Sequence, residues 1–233
     1  MKKTLLIGLF SAMALGAYAQ GTINFNDRAG DATFHIYSPQ TSGVAQNGST
    51  ATDVPAGSFV FGSGSVLIGG SSGAAGLPVN YGFGNNFTAQ LYAAPGTGDA
   101  ASSLLPVTQY VALFRQTPQA VLAGTFIPAT PSPDAGIPNT SGGSATVAVA
   151  AWYNAGGTIT SLAEAEADLV PWGESLPVNL TALGTVTGTP VPNPAEDLVG
   201  IQSFSLQTQT IPEPSTIALC VLGAGAFLAR RKK

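Results

Sequence analysis

The chain has one cysteine (Cys220), one histidine (His35) and no lysine between Lys3 and Lys232. Charged residues make up 9% of its 233 positions, against roughly a quarter in ordinary soluble domains. Each shortage excludes some chemistry. A body without cysteine has no disulfide, no Cys-ligated zinc and no thiolate nucleophile. One histidine cannot build a His-rich metal site or a Cys–His pair. Between the two ends, the basic residues Arg28 and Arg115 stand against eleven acidic ones, a net charge of −9. Neutralising phosphates takes clustered Lys and Arg, so neither nucleic acid nor an anionic membrane surface is an expected partner of the body.

What is present favours strands and turns. Glycine occurs 29 times and proline 17 times, while the Lys, Glu and Arg that coat helix surfaces are scarce. A body of about 190 residues is long enough to bury one core without disulfides.

The long apolar runs lie at the two ends. Met1-Lys2-Lys3 precedes an apolar stretch and then Ala17-Tyr18-Ala19. This is the charged, apolar and small-x-small order of a secretory leader. Cleavage is expected between Ala19 and Gln20. At the other end, Ile211-Pro212-Glu213-Pro214-Ser215-Thr216 leads into an apolar run and then Arg230, Arg231, Lys232 and Lys233. From Ser215 to Ala229 the run is 15 residues. As a helix it spans roughly 22 Å, short of a bilayer core of about 30 Å. The four cations hold the tail on the cytoplasmic side as a stop-transfer signal. The prolines keep the segment before the helix extended and open to a protease.

The Pro212-Glu213-Pro214 triplet, the short apolar helix and the basic cluster resemble the PEP-CTERM sorting signal of exported bacterial proteins. The resemblance implies a partner, an exosortase-type membrane protease or transpeptidase acting near Pro-Glu-Pro. It also implies transient passage through the inner membrane. The body stretches Gly21–Asn26, FTAQLYAAPG at 87–96, the Trp-bearing segment at 145–153 and LVGIQSFSL at 198–206 are similar to secreted PEP-CTERM proteins, without any catalytic motif. The organisation expected is a signal peptide over 1–19, a body over 20–211 and a sorting signal over 212–233.

Alternating apolar residues bounded by turn residues predict an all-β body, a β-sandwich with one short helix, flanked by the signal helix and the C-terminal transmembrane helix. Strands are expected at 22–26, 33–37, 87–93, 107–114, 120–127, 145–153 and 198–207. A further pair at 58–61 and 65–68 would form a hairpin around Gly62-Ser63-Gly64. Loops are expected over 128–143 and 188–194. Ser161-Leu162-Ala163-Glu164 reads as a capping box, with Glu164 reaching back to the Ser161 N–H and Pro171 halting the helix.

No catalytic constellation stands out. His35, mid-strand between Phe34 and Ile36, reads as a strand-face residue with no visible partner. A Ser–His–Asp set is available arithmetically, but no G-x-S-x-G elbow accompanies it. Glu164 and Asp168 share one helix face and read as a solvated edge. Asp27, Asp31, Asp53, Asp99, Asp134 and Asp197 lie in or near turns, where calcium draws oxygen ligands, but no D-x-D-x-D-G run appears. Trp152, Trp172, Tyr81, Tyr92 and Tyr153 suit either a sugar platform or a sandwich core, and the core reading is favoured. No metal, cofactor or catalytic residue is expected. The function expected is that of a non-enzymatic, exosortase-sorted protein of the cell surface or extracellular matrix, structural or adhesive in an exopolysaccharide layer. A carbohydrate-binding surface protein and a secreted carboxylate-dependent hydrolase are the alternatives.

Overall fold

The computed structural model describes residues 21–29, 32–40, 43–50, 53–57, 59–62, 65–69, 84–115, 122–127, 136–137, 140, 143–185 and 194–208. The regular elements among the described residues are mostly strands, with one short α-helix: an all-β body. In chain order the elements are β1 (Gly21–Asn24), β2 (Arg28–Ala29), β3 (Ala32–Thr33), β4 (Ile36–Tyr37), β5 (Asn47–Ser49), β6 (Phe59–Val60), β7 (Phe87–Pro95), β8 (Leu105–Leu113), β9 (Ala145–Tyr153), α1 (Leu162–Ala167), β10 (Trp172–Glu174), β11 (Val178–Leu180), β12 (Gly184–Thr185), β13 (Glu196–Asp197) and β14 (Ser203–Ser205).

The largest sheet is built on the longest apolar stretches. β9 runs antiparallel to β7 in unbroken register from Phe87 opposite Tyr153 to Pro95 opposite Ala145. β8 continues the sheet beyond β7, with a register shift between Gln90 and Tyr92. On the other side of β9 lie β10 and β11. Side chains alternate across a strand. Phe87, Ala89 and Leu91 of β7, with Val147, Val149 and Ala151 of β9, therefore face the main core. Ala150 and Trp152 face the other way, into a second cluster with Ile159 and with Leu162 and Ala165 of α1. β9 is thus buried on both faces, which is why it reads as a continuous apolar run.

The shorter strands complete the main core. One sheet has the order β4-β14-β5-β6 and another the order β12-β1-β13. They contribute Ile23, Ile36 and Phe204, and Phe25 and Phe34 join from the adjoining loops. Phe25 stacks on Phe126 with ring centroids 4.7 Å apart. Each such side chain, wholly withdrawn from water, contributes about 1.5–3 kcal/mol. Gly48 of β5 has no room for a side chain, since a Cβ there would overlap the Phe59 carbonyl.

Several expected elements differ. Residues 33–37 are not one strand but β3 and β4, separated by Phe34 and His35. The 58–68 hairpin does not form. The Ser65 N–H does donate to the Gly62 carbonyl (2.9 Å), but β6 pairs in parallel with β5 and Leu67 bridges Tyr37. The expected strand at 120–127 is, in its described part, a turn at 122–124 followed by a single bridge from Phe126 to Phe114. The strand at 198–207 shortens to β14 plus a bridge from Gln207 to Trp172. The 128–143 and 188–194 loops fall largely outside the described residues. So do the signal helix and the C-terminal helix. Among the described residues no helix is long and apolar enough to cross a membrane.

α1 forms where the capping pattern predicts, with one change. The Ser161 hydroxyl accepts from the Glu164 N–H (3.2 Å). The Glu164 carboxylate reaches past Ser161, accepting from the Thr160 N–H (2.7 Å) and hydroxyl (3.0 Å). These bonds hold its pKa below the usual value. The helix ends before Pro171, because Leu169 turns left-handed at φ 57°. The Val170 N–H then donates to the Ala165 carbonyl and the Leu169 N–H to Glu166, which satisfies the last turn. A leucine there carries a Cβ penalty that glycine lacks. Leu169 is also 41% exposed, so little packing is at stake. Leu169→Gly should therefore raise unfolding free energy by about 0.5–1 kcal/mol in urea titrations. A fall would show that the side chain's contacts outweigh the backbone strain.

Candidate functional site

The strand pairings gather the chain's one histidine, a buried aspartate and a buried serine. β14 lies between β4 and β5, with Phe204 opposite Ile36 and Ser203 opposite Gly48. This sets Ser203 beside the residue preceding β4, His35. The Thr33–Val54 bridge, closed by bonds of 3.2 and 2.9 Å, brings Asp53 alongside. His35 Nδ1 lies 2.7 Å from Asp53 Oδ1. The Ser203 hydroxyl donates to Asp53 Oδ2 (2.6 Å), and so does the Thr50 N–H (2.8 Å). Ser203 Oγ in turn accepts from the His35 N–H (2.8 Å). The Asp53 side chain is 1% exposed and that of His35 is 12% exposed. The reading of His35 as partnerless is therefore corrected. Asp53 lies 18 residues along the chain and Ser203 sits 150 beyond Asp53, so no local pattern joins them.

Burial pushes the Asp53 carboxyl up. The bonds from His35, Ser203 and Thr50, with the attraction of the imidazole, outweigh it and hold the pKa below the ordinary value. Asp53 is a carboxylate, so His35 Nδ1 carries the proton between them. Neighbouring Tyr37 is pushed up to about 12, first by burial, then by the Asp53 charge, against a bond with Thr50.

These are the residue types of a hydrolytic triad joined in another order. A nucleophilic serine needs its hydroxyl on the imidazole, with the carboxylate behind. Here the carboxylate stands in the middle. The serine proton faces Asp53, the serine oxygen is occupied by a backbone N–H, and Ser203 is wholly buried. What this wiring does is tie β4, β5 and β14 together.

The other expected candidates are dispersed. Asp27 is wholly buried; its Oδ2 accepts from the Phe126 N–H (3.0 Å) and its Oδ1 has no partner among the described residues. Burial pushes it up to about 8, against the Phe126 N–H, its own N–H, Arg115 and Arg28. Asp197 accepts from the Asn24 side chain (2.7 Å). Glu164 and Asp168 are exposed. Glu174 of β10, which the sequence reading did not pair, is pushed up by burial and then by the nearby Glu166 charge. Trp152 is wholly buried, with its Nε1–H donating to the Ile159 carbonyl (3.2 Å), and so belongs to the core. A cleft of about 270 Å³ at the β7–β8 register shift has no titratable group among the described residues that line it. Among the described residues no three His, Cys, Asp or Glu side chains gather. Asp31, Asp134 and Tyr81 lie outside the described residues. So do the cleavage residues Ala17, Ala19 and Gln20, the motif Pro212, Glu213, Pro214, Ser215 and Thr216, and the tail Arg230, Arg231, Lys232 and Lys233.

Comparison of the chain with protein-family models, with curated proteins and with solved structures finds no match in any of the three.

Proposed function

We propose that this is an exported surface or extracellular-matrix protein, sorted by an exosortase-type enzyme, whose body serves a structural or adhesive role rather than a catalytic one. The observation that carries the reading is the pairing of a leader ending Ala17-Tyr18-Ala19 with a tail of Pro212-Glu213-Pro214, a short apolar run and four cations. The body supports the non-catalytic part, because its histidine, aspartate and serine are committed to one another as a clamp. In its finer form the body is a β-sandwich. The β7–β9 sheet is one layer, and the sheets containing β4, β14 and β1 are the other, with the shared core between.

The tail supplies the test. Moving Arg230 to Lys233 through hydrocarbon costs roughly 2.5–3.5 kcal/mol per residue on insertion scales, so the run above them pauses in the bilayer with Pro212 to Pro214 at the outer interface. Glu213→Ala or Pro214→Ala should trap uncleaved precursor at the inner membrane. Peptide mapping of wild-type surface protein should find no Arg230-containing peptide. Its recovery from the mature surface form would reject processing and leave a permanent anchor.

A further inference from the structure

At the end of the large sheet the chain turns through Pro95-Gly96-Thr97-Gly98-Asp99, with Gly96 at φ 96° and Gly98 at φ 88°. The turn folds back over Thr146 of β9, which is 1% exposed and stands directly opposite Asn179 of β11. Cross-strand neighbours share a face, so the two side chains meet beneath the turn. Around Thr146 Oγ1 lie three acceptor oxygens: Asn179 Oδ1 at 3.0 Å, the Gly96 carbonyl at 3.3 Å and Asp99 Oδ2 at 3.4 Å. A threonine hydroxyl has one proton and can satisfy one of them. Two backbone N–H groups also reach these oxygens. The Asp99 N–H goes to Thr146 Oγ1 (3.2 Å) and the Gly98 N–H to Asn179 Oδ1 (2.9 Å). That second bond also fixes which end of the Asn179 amide is oxygen. No basic side chain among the described residues pairs with Asp99.

Four oxygens thus converge with too few protons among them. Oxygens that share a calcium ion at about 2.3–2.6 Å stand about 3–3.5 Å from one another, and the three distances from Thr146 Oγ1 fall in that range. We propose that Gly96 O, Asp99 Oδ2, Thr146 Oγ1 and Asn179 Oδ1 form a calcium-binding site that staples the 95–99 turn to β9 and β11. Water supplies the remaining ligands of a six- to eight-coordinate ion. Calcium suits the site better than magnesium, because neutral oxygens on a glycine-hinged turn do not impose a small, rigid octahedron. With a single carboxylate the affinity falls in the range of about 10⁻⁴–10⁻³ M seen in extracellular modules. The use of so weak a site rests on the export reading; its existence does not, and the test is made on purified protein away from any sorting machinery.

The purified full-length chain, stripped with a chelator, is unfolded thermally in rising CaCl₂, with MgCl₂ at matched ionic strength. At about 10 mM CaCl₂ the midpoint should rise by about 3–5 °C, saturably, and magnesium should give less than half of that. Asp99→Asn should abolish the calcium shift. Asn179→Asp keeps the Gly98 bond and adds a carboxylate, so it should lower the half-saturating calcium concentration about tenfold. No calcium-specific shift in the wild-type protein overturns the proposal. So does a shift that survives Asp99→Asn, or an unchanged midpoint concentration in Asn179→Asp.

Discussion

Replacing Asp53 with alanine should cost the fold about 3–5 kcal/mol, the scale of leaving several buried donors without an acceptor. Whole domains hold only about 5–15 kcal/mol, so the loss would be plain in a urea titration at neutral pH. The size follows from what one carboxylate satisfies. It accepts from the Thr50 N–H, the Ser203 hydroxyl and His35 Nδ1, and all three donors lose their partner at once. The pH dependence has a definite sign. The folded pKa of Asp53 lies below its ordinary value of 3.8. Its contribution is therefore present above about pH 4 and disappears as pH falls through the folded value. Acidification should weaken the wild-type protein more than Asp53→Asn over that window. His35→Gln should cost less than Asp53→Ala, and the two substitutions should be strongly non-additive. A loss below about 1 kcal/mol for Asp53→Ala would mean that the cluster is incidental.

Asp27→Asn should act in the opposite direction, stabilising the protein at alkaline pH. The Asp27 carboxyl is wholly buried, and its pKa rises from 3.8 to about 8. Between those values the folded protein keeps a proton that the unfolded chain has released. Stability linked to this group is therefore complete below about pH 4 and is lost as pH rises through about 8. Over that interval the slope approaches about 1.4 kcal/mol per pH unit for a single proton. Asparagine cannot ionise, and its carbonyl still accepts from the Phe126 N–H. Unfolding titrations at pH 5, 7 and 9 should show the variant gaining on the wild-type protein at each step. Parallel curves for the two proteins would show that Asp27 ionises freely within the fold. Arg28 and Arg115 are the charged groups that favour ionisation, and both are outweighed by burial.

Long stretches with strong patterns were legible in the sequence, and short or distant ones were not. Residues 145–153 form the strand expected from nine apolar or small residues, and 87–95 extends the expected strand to its Pro-Gly turn. The Ser161 cap marks the start of α1 because capping chemistry is local. Two-residue strands such as β4 and β6 lie below the length at which alternation can be counted. The segments around Gly62 show a second limit. A local pattern of turn residues does not decide pairing, since 59–60 and Leu67 find partners at 48–49 and 37 instead of each other. The Asp53 hub shows a third. His35 carries no local sign of its partners, because Ser203 arrives through the parallel pairing of β4 with β14 and Asp53 through the Thr33–Val54 bridge.

One pairing bears on the order in which the molecule can assemble. β1 opens the described body, yet its neighbours are β12 on one side and, in parallel, β13 on the other. The Asn24–Asp197 contact joins residues 173 positions apart. A chain delivered amino end first presents β1 early, with nothing for it to pair with. Closing so large a loop must wait until the region around 184–197 has arrived, and its entropy is repaid only then. The described strand first to emerge is among the last to be enclosed, and β4 waits longer still for β14, so the growing chain stays open and threadable until residues 184–205 are available.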